Sequence, residues 1–107
     1  MKTDLVYCER MLDCIEKIER FVAGMRQKDF LESEMAQSGV IMQLTLIGEL
    51  SKKLSDEFKK EINLPWKQIA GFRDKAVHDY YELDLEYVWL SIIDDLPNLK
   101  RELSRAV

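Results

Sequence analysis

Apolar residues recur along this chain at spacings of three and four, with polar residues filling the intervals. Leu5, Cys8, Met11, Leu12, Ile15, Ile18 and Val22 form the first such stripe. It predicts a helix capped by Thr3 or Asp4 and running to about Met25. Glu9, Arg10, Glu16, Lys17 and Arg20 lie mostly off the stripe, and Gly24 stands where a terminating glycine belongs. Asp29, Phe30 and Leu31 are expected to form a single turn in the connector that follows.

Ser33, with Ala36 and Gln37, opens a second long pattern, predicted as a helix from about Glu34 to Leu54. Val40, Ile41, Leu44, Ile47 and Leu54 make one stripe, and Met42, Leu46 and Leu50 widen it well past one face. A helix apolar on two sides needs cover on two sides. In so short a chain a second subunit is a candidate for that cover. Gly48 costs such a helix roughly 1 kcal/mol relative to alanine, which points to a close approach by a neighbouring helix.

Ser55-Asp56-Glu57 reads as the cap of a brief helix ending near Asn63, and Pro65 suits the first turn of the next one. Asp84 is expected to cap a last helix carrying Leu85, Val88, Trp89, Ile92 and Ile93. Pro97 then begins a further turn or kink, and Leu99 and Leu103 continue the stripe. No internal repeat is visible. The pattern predicts an all-α fold, an antiparallel up-and-down bundle of four to five helices that dimerises, as a single domain over residues 1–107.

Composition narrows the class. Of 107 residues, 47% are hydrophobic and 34% charged, too apolar for disorder and ordinary for a helical protein. A net charge of −4 argues against a broadly basic surface, though not against a local basic cleft. Lys52, Lys53, Lys59, Lys60, Arg73 and Lys75 are the material for one; the plainer account is that they solvate helix faces. Cys8 and Cys14 point about 120° apart around a helix, which disfavours a bond between them. With one histidine in the chain, a structural zinc site is not expected. Reduced thiols and a cytoplasmic location are the expectation. No apolar run approaches a membrane span, and Met1-Lys2-Thr3-Asp4 does not open a signal peptide.

The candidate chemistry lies in Gly71–Tyr81, GFRDKAVHDYY. Four residues separate Arg73 from His78, and Tyr80 follows at once. An always-charged phosphate binder beside a group that titrates near neutrality suits phosphodiester chemistry. The alternative is a histidine that only caps a helix end. On a regular helix Arg73 and His78 stand about 140° apart. Either the helix begins or ends between them, or a cleft gathers them from two chains. RNA cleavage through the 2′-hydroxyl needs one base and one acid. Two chains supply both, Arg73 holds the phosphate, and no metal is required. Asp74 could orient Arg73 or contact ribose, or simply be solvated. Glu49, a carboxylate in the apolar stretch Leu46–Leu50, wants a partner, and Arg73 is one candidate. Trp66 and Trp89 read as core aromatics rather than base-stacking platforms. Glycine-rich phosphate loops and Gly-x-Ser-x-Gly elbows are missing.

The chain resembles the HepT-type toxins of the HEPN superfamily (higher eukaryotes and prokaryotes nucleotide-binding). The superfamily motif is Arg, four to six residues, then His, matched by Arg73-Asp74-Lys75-Ala76-Val77-His78. The HepT branch adds a tyrosine two residues on, matched by His78-Asp79-Tyr80. Ile47-Gly48-Glu49, Leu64-Pro65-Trp66, Gly71-Phe72-Arg73, Asp84-Leu85 with Val88-Trp89, and Asp95-Leu96-Pro97 are similar to segments in the same order, so the likeness spans essentially the whole chain. It implies a helical homodimer with a shared cleft, a metal-independent endoribonuclease toxin acting on RNA, and no cofactor or membrane. It further implies a minimal nucleotidyltransferase (MNT) antitoxin as partner, able to transfer AMP to Tyr80. By carry-over, Arg73 and His78 are catalytic, Asp74 is a polar helper and Tyr80 is the modification site. Asp74 stands where Asn is frequent, Asp79 where Gly is frequent, and Met42-Gln43 where many relatives carry Arg-Asn. An anion beside Arg73 repels phosphate unless it is paired. These departures keep a second reading open, a non-catalytic nucleotide- or RNA-binding helical subunit of a nucleotidyltransferase. A third is a structural helical dimer with an incidental Arg–His pair.

Overall fold

The computed structural model describes residues 2–107, with Lys2 described in its backbone alone. Seven α-helices follow in order: α1 (Lys2–Phe21), α2 (Gln27–Leu31), α3 (Glu34–Ser51), α4 (Asp56–Glu61), α5 (Trp66–His78), α6 (Leu85–Leu90) and α7 (Leu96–Ala106). A 3₁₀ turn, Tyr80–Glu82, joins α5 to α6, and a π-helical segment, Ser91–Asp95, joins α6 to α7. The fold is all-α, and no strand occurs among the described residues. Four rods carry it (α1, α3, α5 and the α6–α7 arm), and α2 and α4 are short connectors. Four to five helices were expected; the larger count comes from α2 and from the π segment that divides the last arm.

Side-chain caps place three of the breaks. The Ser33 hydroxyl accepts from the Ala36 N–H and opens α3, and Ser55 does the same for α4 through Phe58 N–H. Asp84 Oδ1 accepts from the N–H groups of Glu86 and Tyr87 at the start of α6. Gly24, at φ 77°, supplies the left-handed residue just past α1. The π segment has a local cause. Pro97 lacks an N–H and its ring crowds the preceding turn, so the helix widens there and Leu96 N–H reaches back five residues to Ser91 O.

The cap expected at Thr3 or Asp4 does not form. Helix α1 already contains Lys2, and Asp4 is turned inward. Its carboxylate accepts from Ser55 N–H at 2.8 Å and from Ser55 Oγ at 2.7 Å, fastening the start of α1 to the start of α4. Helix α1 also stops at Phe21 rather than Met25, because the Val22–Gly24 turn intervenes. Trp66 Nε1 donates to the carbonyls of Lys59 and Ile62, closing α4 from outside.

Helix α3 lies at the centre, packed mainly against α1 on one side and α5 on another. Cys8, Met11, Ile15 and Ile18 of α1 are fully buried, as are Val40 of α3, Val88 of α6 and Leu103 of α7. Phe30 of α2 is fully buried and stacks, tilted, on Trp89 at 5.5 Å. Cys8 and Cys14 are free and buried, and burial pushes the Cys8 thiol up to about 11. No described helix is long and apolar enough to cross a membrane. The molecule measures 41 × 29 × 18 Å, too thin to cover α3 all round. Met35, Met42 and Leu46 of α3 therefore stay exposed.

The Ser55 N–H, followed by its hydroxyl, holds the Asp4 carboxyl below the usual carboxylate range. A lowered folded-state pKa contributes stability that is present above the unfolded value and lost as pH falls through the folded one. Asp4→Ala is expected to lower the unfolding free energy at pH 7 by about 2 kcal/mol. Urea titrations repeated toward acid pH should show the gap to wild type narrowing below the unfolded-state pKa; a gap that widens there contradicts the latch.

Candidate functional site

The expected site residues all lie on α5 or in the turn after it. Helix α5 starts after Pro65 and runs unbroken through Arg73 to His78, its last residue. Asp79 ends it, at φ −135° and ψ 48°, with its N–H still donating to Lys75 O at 2.7 Å. Of the two ways to bring Arg73 and His78 together, a helix break between them is thus excluded. They stand about 140° apart around one helix and about 7.5 Å apart along it.

Arg73 is placed by a close approach. A Cβ built on Gly48 of α3 would lie 2.5 Å from Arg73 Cβ and 2.8 Å from the Ile69 carbonyl oxygen. Only hydrogen at position 48 lets α5 seat here, which answers the question the glycine raised in the sequence. One residue on, Glu49 Oε2 meets Arg73 Nε at 2.7 Å, the partnership expected for that carboxylate. Arg73 Nη1 also donates to Asp74 Oδ1 at 3.2 Å. Lys52, just past the end of α3, donates to the same Oδ1. Lys52, followed by a smaller contribution from Arg73, holds the Asp74 carboxyl below its ordinary range against the opposing effect of desolvation.

The Lys52–Asp74 contact was invisible in the sequence. Lys52 was one of six candidate basic residues, and nothing local couples it to a carboxylate 22 positions away. Among the described residues no other lysine pairs with a carboxylate beside Arg73; Lys53, for example, sits over the Tyr7 ring at 5.8 Å.

His78 is exposed, and its side chain makes no hydrogen bond or ion pair among the described residues. Tyr80 opens the 3₁₀ turn, 43% exposed, with its ring edge-on to Tyr81 at 5.6 Å. Tyr81 is 97% exposed. Trp89 is buried and Trp66 half-buried against the core, so neither is free to stack on bases. A pocket of about 220 Å³ lies between α3, α5 and the α6–α7 arm, lined by Leu44, Ile47, Ile69, Phe72 and Leu99 among others. None of Arg73, His78 and Tyr80 lines it. Among the described residues no group of three or more His, Cys, Asp and Glu side chains is placed to hold a metal ion.

Residues 11–106 match the family model described as "Ribonuclease HepT-like". This chain belongs to the HepT-like ribonuclease family. It is 35% identical over 100 residues to the "Probable ribonuclease HepT" of Thermococcus cleftensis, covering 92% of this chain and 91% of that one. It is 36% identical over 105 residues to "Putative RNase TTE0752" of Caldanaerobacter subterraneus subsp. tengcongensis, covering 96% and 93%. No solved structure matches significantly. In this HepT-like chain the Arg-x4-His segment is carried by α5, and α3 supplies its immediate neighbours.

Gly48→Ala gains helix propensity of roughly 1 kcal/mol. It also forces a methyl into the α3–α5 contact, where overpacking costs about 1–3 kcal/mol. Urea unfolding is expected to show net destabilisation. A variant as stable as wild type or more so contradicts the close-approach account.

Proposed function

We propose that the protein is an RNA-cleaving toxin, a homodimeric and metal-independent endoribonuclease built from one helical domain. In this reading Arg73 holds the scissile phosphate, His78 moves protons and Asp74 is a polar helper that pairs with Arg73 before RNA binds. The observation that carries it is the unbroken α5. One chain turns Arg73 and His78 to different sides of the same helix. Two copies related by a two-fold axis bring two of each to a shared cleft.

Neutral His78 of one copy takes the 2′-hydroxyl proton, and the 2′-oxygen attacks phosphorus. Protonated His78 of the other copy gives its proton to the departing 5′-oxygen. The products are a 2′,3′-cyclic phosphate and a free 5′-hydroxyl. The Arg73 guanidinium stabilises negative charge on the non-bridging oxygens as the fifth bond forms.

The outer face of α3 supports the dimer. Met35, Met42 and Leu46 are exposed and recur at spacings that put them on one helix face, and Glu49 continues that face to the Arg73 ion pair. Fully burying a Met or Leu side chain stabilises by about 1.5–3 kcal/mol. A dimer closed over this stripe would border the Arg73 cluster.

The partner in this reading is a minimal nucleotidyltransferase antitoxin, and Tyr80 is where it acts. Attack by the Tyr80 phenol oxygen on the α-phosphorus of ATP adds AMP, releases pyrophosphate and loses the phenol proton. The exposure of Tyr80 two residues past His78 is the supporting feature. AMP there would set a bulky anion beside His78 and repel RNA.

The second reading, a non-catalytic binding subunit, draws on the same cluster, because Glu49 and Asp74 together match the charges of Arg73 and Lys52. The two part company on expression of the chain alone.

Induced wild-type protein is expected to arrest growth, and purified protein to cut RNA leaving cyclic-phosphate ends. His78→Ala should fold normally and do neither. Full cleavage by His78→Ala would overturn the mechanism, and growth unaffected by well-expressed wild type would favour the binding subunit. Incubation with a minimal nucleotidyltransferase and ATP should add the mass of AMP to wild type and to Tyr81→Phe. Tyr80→Phe should stay unmodified.

A further inference from the structure

Asp74 Oδ1 accepts from Lys52 Nζ and from Arg73 Nη1 at once. A carboxylate oxygen shared by two cations occupies the position that an oxygen of a bound phosphate would take. Charge-assisted donors of this kind serve either anion. Lys52 and Arg73 come from different helices, the C-terminal end of α3 and the middle of α5, and the Asp74 oxygen is what joins them. Glu49 takes the Nε side of the guanidinium, and Nη1 is the atom that meets Asp74. The four charges of Glu49, Lys52, Arg73 and Asp74 cancel, so the cluster exerts little net pull on RNA while Asp74 stays in place.

We propose that Lys52 is a second phosphate-binding residue of this site, and that Asp74 stands in for the phosphate until RNA displaces it. The inference rests on the ribonuclease reading and adds to it a residue with no counterpart in the Arg-x4-His motif. The exchange is energetically accessible. The Lys52 and Asp74 side chains are 38% and 50% exposed, and solvent-screened ion pairs at such positions are weak. Asp74 can therefore swing to water at small cost. An RNA strand brings several phosphates and releases condensed counterions as it binds. Glu49 is not displaced in this exchange. It holds the guanidinium at Nε, and Nη1 passes from Asp74 to the incoming phosphate.

The test uses a fluorescein-labelled, single-stranded 2′-O-methyl RNA of mixed sequence, which lacks the nucleophilic hydroxyl and stays intact. Its affinity is measured by anisotropy over a series of salt concentrations, beside cleavage of the unmodified strand. Asp74→Asn is expected to bind severalfold tighter than wild type, because both cations are freed. Lys52→Ala in the wild-type background should weaken binding severalfold and reduce the salt slope by about one. The deciding protein is the double variant. If Lys52 contacts phosphate, adding Lys52→Ala to Asp74→Asn removes the gain and again lowers the slope. If Lys52 serves only to neutralise Asp74, the double variant binds as tightly as Asp74→Asn, and the inference is overturned while the ribonuclease reading stands. Asp74→Asn protein that neither binds the RNA nor cuts the unmodified strand, beside an equally inactive wild type, overturns both.

Discussion

The close approach of α5 to α3 at Gly48 governs the rest of the motif's surroundings. Helix α5 packs chiefly on α3, so its position is set at that contact. Once Arg73 Cβ lies over the glycine, helical periodicity leaves little freedom. Glu49 and Lys52 are one and four residues beyond Gly48, on the turn of α3 that faces Arg73 and Asp74. The ion pairs therefore follow from the packing and do not create it. Half-exposed pairs contribute little to stability. Their consequence is the orientation and the net charge of the guanidinium's surroundings.

Net charge explains how an acidic chain fits into a family of ribonucleases. A site for RNA does not require a basic molecule, only cations that become available where phosphate arrives. Here two cations and two carboxylates form a neutral, solvent-accessible cluster at the α3–α5 junction. Such a neutral arrangement exerts little long-range pull on a polyanion. The apolar residues tell a parallel story. The interior is filled mainly by α1, α3 and the α6–α7 arm, with Phe30 of α2, and a thin molecule leaves Met35, Met42 and Leu46 in water on the face that ends at Glu49. That exposed apolar face adjoins the motif, which is why the proposed dimer is drawn across it.

Much was legible from the sequence alone, for local reasons. Caps act within three or four residues, so Ser33, Ser55 and Asp84 announce their helices directly. The stripes of α1 and α3 pick out Cys8, Met11, Ile15, Ile18, Val40, Ile41 and Ile47 of the core because helical period is a local property. Gly48 and Glu49 were legible as anomalies, a helix breaker and a carboxylate in an apolar run, each needing a distant explanation. Asp4 was misread for the opposite reason. It has the chemistry of an N-cap at the place where one is expected, yet its acceptors are used by Ser55, 51 residues away. Pro97 was expected to begin a further turn or kink; the structure shows a π-helical segment just before it, since a missing N–H acts on its own helix.

Local sequence determined the helices, the starts that Ser33, Ser55 and Asp84 cap, most of the core and the Arg73–His78–Tyr80 segment, because each depends on neighbours along the chain. Tertiary structure alone decided that α5 is continuous through Arg73 and His78, so that one chain separates them. It alone decided that Asp74 is shared by Lys52 and Arg73. Both depend on how two helices meet in space, and a pairing across 22 residues leaves no periodic trace in the sequence.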